Sequence, residues 1–381
     1  MRSLIFFFAL LPMIAAAQPF AIGTRSITFF DASRNRDIAT DVRYPATSAG
    51  SNAPFEAGAF PVLVIGHGFV MSTDAYANLW DHFVPLGYIV ALPTTEGGFG
   101  PSHGNFGLDL AFVASAIQAA SSDGASPLFT HVAPFTALMG HSMGGGASFL
   151  GAAGNTAITT VVNLAAAETS PSAIAACAQV LVPTLVFAGS NDCITPIAEH
   201  QQPMYEALTV PCRAFVGITG GGHCYFADNN FNCAFGELTC SPSPAITRAQ
   251  QHDVVNDFAT LWLDHFLKGD AGAIGAFIDS TAATARAVCL TTCTGASTAA
   301  PPSRSSESTI VVPTITADQF MVRGSGPWEL RLIDAQGREV LNRAVVADAE
   351  PIDVAAFPAG AYTALLNGAV GRSAHRLVIA R

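Results

Sequence analysis

One stretch constrains this chain more than any other: Thr136-Ala137-Leu138-Met139-Gly140-His141-Ser142-Met143-Gly144-Gly145-Gly146. Its first four residues read as an apolar strand, and residues 146–153, small and apolar, read as a helix. A serine at such a junction sits on a strained turn, so glycine is needed on both sides where backbone crowds backbone, and the hydroxyl stands exposed. The amino end of the following helix favours negative charge developing beside it. That turn demands a sheet whose strands end at one edge with helices behind them. A second G-x-S-x-G, Gly100-Pro101-Ser102-His103-Gly104, lacks this context. Gly97-Gly98-Phe99-Gly100 is a loop and Pro101 stiffens the turn, so Ser102 reads as a loop residue.

Around the elbow, short β-branched runs alternate with longer helical stretches, the signature of βαβ units and a mainly parallel sheet. Strands are predicted at 27–30, 38–44, 61–65, 88–92, 136–139, 160–164, 184–188 and 214–218, with helices at 74–84, 106–120, 146–153 and 250–267. Phe258, Leu261, Trp262, His265 and Phe266 recur at helical spacing in the last of these and read as a core-packing face.

Acyl transfer from a serine needs a base and an acid that orients it, arriving in the order Ser, Asp, His. Pro183-Thr184-Leu185-Val186-Phe187-Ala188-Gly189-Ser190-Asn191-Asp192 is a buried strand ending in a loop acid, which places Asp192 at a carboxyl end of the sheet. The next strand, 214–218, leads through Gly220-Gly221-Gly222 to His223, and the glycines let the loop carry an imidazole back across the sheet edge. His82, His131, His200, His252, His265 and His375 read as surface or packing residues. His141 is expected to wall the substrate pocket. The oxyanion hole requires two backbone N–H groups aimed at the tetrahedral oxygen. Met143 supplies one, and Phe69, in the turn Gly66-His67-Gly68-Phe69 after strand 61–65, is the candidate for the other, its ring a second pocket wall. His67 is expected to shape that turn.

The N-terminus, with Arg2, an apolar stretch over 4–14 and Ala15-Ala16-Ala17, reads as a secretory signal cleaved after Ala17. No later segment stays apolar long enough to span a bilayer, so the mature protein is expected outside the cell or on its outer surface. Eight cysteines lie beyond the signal, and export makes disulfides the default over zinc. Cys224/Cys233 and Cys289/Cys293 are candidate local bridges among ~105 complete pairings. No cofactor or metal is called for. A net charge of −11 and the absence of a dense Lys/Arg run argue against nucleic acid as a partner. The catalytic domain is expected over 18–293, a small, polar, Pro-containing linker over 294–309, and an all-β sandwich over 310–381, where short strands alternate with turns such as Asp334-Ala335-Gln336-Gly337.

Taken together, these residues resemble the α/β-hydrolase superfamily, near cutinase-like polyester hydrolases, chlorophyllases and dienelactone-hydrolase-like esterases. The likeness covers about 26–268. It is carried by Gly140-His141-Ser142-Met143-Gly144-Gly145-Gly146 and by the acid loop, Pro183 through Asp192 with Pro196. Where polyesterases carry a Trp shortly before the acid strand, this chain has Ala167-Glu168-Thr169-Ser170-Pro171. The resemblance implies an α/β-hydrolase sandwich and carboxylic-ester hydrolysis through an acyl-enzyme, with small or polymeric esters as partners. The alternatives are a dedicated polyester hydrolase or a non-catalytic binding scaffold. Too few residues separate Leu164 from Val182 to hold a cap, so an open cleft is expected. The C-terminal segment resembles the sorting domain of the type IX secretion system of Bacteroidetes. Leu332-Ile333-Asp334, Gly337-Arg338, Pro358-Ala359-Gly360-Ala361-Tyr362 and Leu377-Val378-Ile379 fall in that domain's order, which implies the secretion machinery as a second partner.

Overall fold

The computed structural model describes residues 19–294 and, within 310–379, all but 313–314, 317, 324–326, 335–337, 346–349 and 369–370. The signal segment, nearly all of the linker and most of the turn after Asp334 therefore lie outside the described residues. The chain divides into two compact units, Met1–Ala296 and Ser297–Arg381.

The first unit is built on ten strands: β1 (Ala21–Asp31), β2 (Arg36–Ala46), β3 (Gly50–Ser51), β4 (Phe60–Gly66), β5 (Ile89–Pro93), β6 (Val132–His141), β7 (Thr160–Leu164), β8 (Thr184–Gly189), β9 (Arg213–Ile218) and β10 (Ala287–Thr291). They lie in the order β10-β9-β8-β7-β6-β4-β5-β2-β1-β3. From β5 through β9 neighbouring strands are parallel, while β2 and β10 pair antiparallel at the two flanks.

Both faces of the central strands are buried, as a parallel sheet requires when helices cover each side. Side chains alternate along a strand, so Val62 and Val64 of β4 enter one core while Leu63 and Ile65 enter the other. Helices α2 (His103–Ala120), α3 (Met143–Ala152), α4 (Ala173–Cys177) and α5 (Gln201–Ala207) contribute to the first core. The second takes α1 (Ala77–Phe83), α7 (Arg248–Lys268) and α8 (Ala273–Ala283), with Phe277 of α8 in ring contact with both Phe258 and Trp262 of α7. The remaining helix, α6 (Phe231–Glu237), has no buried residue.

Eight strands were predicted and all eight form. Ser102, read as loop, is the N-cap of α2 and accepts from the Asn105 N–H at 3.3 Å, so that helix starts three residues before the predicted 106. Its serine oxygen is engaged in a capping role. The cysteines depart further from expectation. Cys224–Cys233 forms, but Cys293 bonds Cys212, Cys193 bonds Cys240, and Cys177 and Cys289 are free thiols. Cys289 lies within β10, and four residues of extended chain separate it from Cys293 by roughly 13 Å. A disulfide spans about half that between Cα atoms, so the expected Cys289/Cys293 bridge is geometrically closed off.

The second unit is all-β. Strands β11 (Ile310–Val312), β13 (Gln319–Arg323) and β16 (Glu350–Asp353) form one sheet. The other holds β12 (Ile315–Thr316), β14 (Trp328–Asp334), β15 (Glu339–Val345), β17 (Gly360–Gly368) and β18 (Gly371–Ile379). Phe320 and Ile352 of the first sheet share a core with Leu330, Leu332, Leu366 and Leu377 of the second, which makes the unit a sandwich.

Candidate active site

Ser142 stands between β6 and α3 with φ 55° and ψ −119°, a conformation that costs a non-glycine residue of order 1–3 kcal/mol. Backbone contacts hold it there: its N–H donates to Leu164 O at 3.0 Å, and its carbonyl accepts from Gly146 N at 3.1 Å and Ala167 N at 2.8 Å. The glycines are required by close approach. A Cβ on Gly140 would lie 2.2 Å from Gly144 O, and one on Gly144 would lie 2.1 Å from Gly66 O. Thus the turn after β4 is pressed directly against the elbow.

The structure brings the three expected side chains together from three strand ends. Ser142 Oγ lies 2.9 Å from His223 Nε2, and His223 Nδ1 lies 2.7 Å from Asp192 Oδ2. All three are buried, with Ser142 the most accessible at 9 %. Asp192 Oδ1 accepts from the Ile194 and Thr195 N–H groups, each at 2.8 Å, and Oδ2 also accepts from Thr195 Oγ1 at 2.8 Å. Burial alone would raise this carboxyl. The hydrogen bond and charge of His223, with the Thr195 contacts, outweigh it and hold Asp192 below the ordinary carboxylate value.

Both loops that deliver the acid and base are cross-linked. Cys193 follows Asp192 and ties its loop to Cys240; Cys224 follows His223 and ties its loop to Cys233 in α6. The peptide groups of the His223 loop are held by side chains as well. Glu237 Oε1 accepts from His223 N at 2.6 Å, Gln251 exchanges two hydrogen bonds with the Gly222 peptide, and Arg248 donates to the carbonyls of Cys224 and Ala227.

Met143 is the first residue of α3, so its N–H has no partner inside the helix. Phe69 lies in the turn leaving β4, and its ring is half exposed, packed edge-to-face on Phe99 at 6.4 Å. His67, buried beneath that turn, sets both ring nitrogens 2.9 Å from carbonyl oxygens, of Gly68 and Thr95. One expectation needs correcting. His141 does not wall a pocket: it has no exposed surface and faces Tyr76 and the His223 carbonyl. It sits on the core side of the elbow, since adjacent strand side chains point to opposite faces.

Sequence reasoning missed Thr195, Glu237, Gln251 and Tyr76. Only Thr195 carried a signal, because an acid followed three residues later by a hydroxyl residue is the pattern of a side chain gathering local N–H groups. The others reach the site from distant segments.

Exposed apolar side chains surround these loops. Phe99 is 87 % exposed, and in α6 Phe231 is 81 % and Phe235 67 % exposed, their rings stacked at 6.3 Å. Asn232 of α6 donates to Val70 O at 2.8 Å, joining that helix to the Phe69 turn. Between them lies a cleft of about 370 Å³ lined in part by Thr73, Thr94, Asn230 and Asn232. Among the described residues, no helix is long and apolar enough to cross a membrane.

The bis(hydroxyethyl) terephthalate hydrolase of Streptomyces coelicolor (strain ATCC BAA-471 / A3(2) / M145) is 30% identical over 105 residues, which are 27% of this chain and 32% of that protein. The chain thus matches about a third of that relative's length. The profile of PETase, described as PET hydrolase-like, matches residues 13–241, more than half of the chain and a span within which Ser142, Asp192 and His223 lie. With its α/β fold, this chain belongs to the PET hydrolase-like family.

Proposed function

We propose that this protein is an exported serine hydrolase that cleaves carboxylic esters through an acyl-enzyme on Ser142. The observation that carries the reading is the unbroken line from Ser142 Oγ to His223 Nε2 and from His223 Nδ1 to Asp192 Oδ2, at 2.9 and 2.7 Å. Neutral His223 accepts the serine proton as Oγ attacks the ester carbonyl, and ionised Asp192 stabilises the imidazolium that forms. The N–H groups of Met143 and Phe69 receive the oxyanion. The imidazolium then protonates the departing alcohol, and water repeats the sequence to release the acid.

The surroundings of the site support a substrate class. Exposed Phe99, Phe231 and Phe235, with Thr73, Thr94 and Asn230 of the neighbouring cleft, suit a chain that alternates apolar groups with ester oxygens, such as an aromatic diester or polyester. A bis(hydroxyethyl) terephthalate-type diester is the natural small probe, given the name of the Streptomyces relative. Two segments could serve as a lid: 97–107, whose second half is the start of α2 with Phe106 in the core, and 227–243, where α6 is tied by Cys224–Cys233 and followed at once by Cys193–Cys240. A helix so tethered does not swing open at an interface. The rate on soluble short-chain esters and on the diester should therefore saturate smoothly, with no jump as substrate passes its solubility limit. A jump, or hydrolysis confined to long-chain triglycerides, would require a moving lid and a different substrate class.

The pH dependence follows from the same groups. His223 must be neutral to accept a proton, Asp192 is held below the ordinary carboxylate value, and burial pushes His141 down to about 3. Neither Asp192 nor His141 changes protonation near neutral pH, so an acid-side loss of activity should involve a single proton, the one that His223 must be free of to act as base. Log kcat/KM should fall with a slope of one. A slope of two would bring a second group into the mechanism.

For the C-terminal sandwich, the order of its Leu332-Ile333-Asp334 and Pro358-Ala359-Gly360 segments supports a sorting role in export. Truncation before Ile310 should leave turnover per molecule unchanged and retain the protein inside its native host. Normal secretion of the truncated chain would make the sandwich a binding module instead.

A further inference from the structure

Two fully buried polar residues under the elbow take part in no step of acyl transfer. Tyr76 and His141 each have no exposed surface, and their polar atoms meet at 3.0 Å, Tyr76 Oη to His141 Nδ1. Tyr76 Oη is also 2.7 Å from the Gly68 N–H, in the turn that carries Phe69. His141 Nε2 is 3.0 Å from the carbonyl of His223. A line of three hydrogen bonds therefore runs beneath Ser142, from the turn after β4 to the backbone of the base.

The direction of each bond is fixed by what the ends can do. The Gly68 amide can only donate, so Tyr76 oxygen accepts and must aim its own hydrogen elsewhere. The His223 carbonyl can only accept, so His141 carries its proton on Nε2 and donates there. That leaves Nδ1 bare, ready to accept from Tyr76. Met71 Sδ, 3.4 Å from Tyr76 Oη, is the weaker acceptor. The ionisable groups around the imidazole are Tyr76, His223, Asp192 and Arg248, and burial with the neighbouring His223 keeps it neutral.

We propose that Tyr76 and His141 form a one-way hydrogen-bond relay that joins the oxyanion turn to the His223 loop, making both of them positioning residues for ester hydrolysis. The proposal rests on the assignment of Ser142 and His223 above. Its physical content is that the donors receiving the oxyanion and the imidazole taking the proton are set by one buried unit, where displacement of about 1 Å can cost ~100-fold in rate.

Tyr76→Phe removes one oxygen and keeps the ring. On a soluble p-nitrophenyl ester it should lower kcat by about 10- to 100-fold with KM changed by less than about twofold, because the relay fixes reacting groups rather than substrate. His141→Gln should do the same. The double variant should be no slower than the slower single one, since the two act in series; losses that multiply would overturn the relay. So would Tyr76→Phe at full kcat. Histidine ¹⁵N spectra of the unsubstituted protein keep the proposal testable if either variant fails to fold. His141 should show a protonated Nε2 and a bare Nδ1 throughout about pH 5 to 8, where a free imidazole titrates. The opposite tautomer, or a charged ring at neutral pH, would contradict the relay without reference to catalysis. Ser142→Ala, assayed alongside, separates the two ideas. Turnover surviving in Ser142→Ala would remove the serine mechanism and with it any positioning role, whereas a dead Ser142→Ala beside a fully active Tyr76→Phe would remove the relay alone.

Discussion

Ser142→Ala should lower kcat on a soluble ester by on the order of a million-fold, with the melting temperature at or above that of the parent protein. The size follows from the unit character of the triad: without the hydroxyl, His223 has no proton to accept and Asp192 no imidazolium to stabilise. What rate remains should come from the proposed oxyanion donors, the Met143 and Phe69 amides, and from substrate binding. The stability follows from the backbone, because the strain at φ 55° is local and alanine makes the same contacts through its main chain. Ser102→Ala should leave turnover unchanged, since Ser102 caps α2 from an exposed position. Equal losses at the two serines would overturn the assignment of the elbow.

Asp192→Asn is expected to cost on the order of ten-thousand-fold in kcat. The reason lies in which oxygen can be replaced. Oδ1 receives the Ile194 and Thr195 N–H groups at 2.8 Å, so the amide oxygen of asparagine must take that place. Its NH₂ then faces His223 Nδ1, which has to become the acceptor, and the ring proton moves to Nε2, against Ser142. The base is then in the wrong tautomer. Asp192→Asn at full activity, measured on the same ester as the parent, would mean that Asp192 does not orient the imidazole.

Much of the sheet was legible because its physics is local. Strands such as β4 and β8 are continuous apolar runs, and only a helix-covered parallel sheet buries both faces of such runs. The elbow was legible for the same reason, since Gly140 and Gly144 answer a backbone contact that no other residue permits. Helix α6 was not. It is seven residues long, its helically spaced Phe231, Phe235 and Leu238 are exposed instead of packed on a core, and it is held by a disulfide and by Asn230 and Glu237. Strand β10 was missed because Ala287–Thr291 is only five residues long and leaves the apolar Val288 and Leu290 exposed, so nothing marks it as a strand until its antiparallel partner β9 is known.

At the site, what escaped the sequence was how the expected residues are held. His141 occupies the position beside the nucleophile where a pocket residue is expected, yet its side chain turns inward to Tyr76, 65 positions away in sequence. Glu237 reaches the His223 amide from a helix defined by cross-links. Such contacts are set by tertiary packing, for which a single chain carries no periodic signal. The Cys212–Cys293 and Cys193–Cys240 pairings, 81 and 47 residues apart, are of the same kind.

The acyl-enzyme itself offers the most direct measurement. Treating the intact protein with a phosphonate ester that mimics the tetrahedral intermediate, then mapping the adduct by peptide mass spectrometry, reports where the nucleophile is. One adduct per chain is expected, on the peptide containing Ser142, formed in step with loss of esterase activity and absent from Ser142→Ala. An adduct on Ser102 or another residue, or complete inactivation with Ser142 unmodified, would contradict the account.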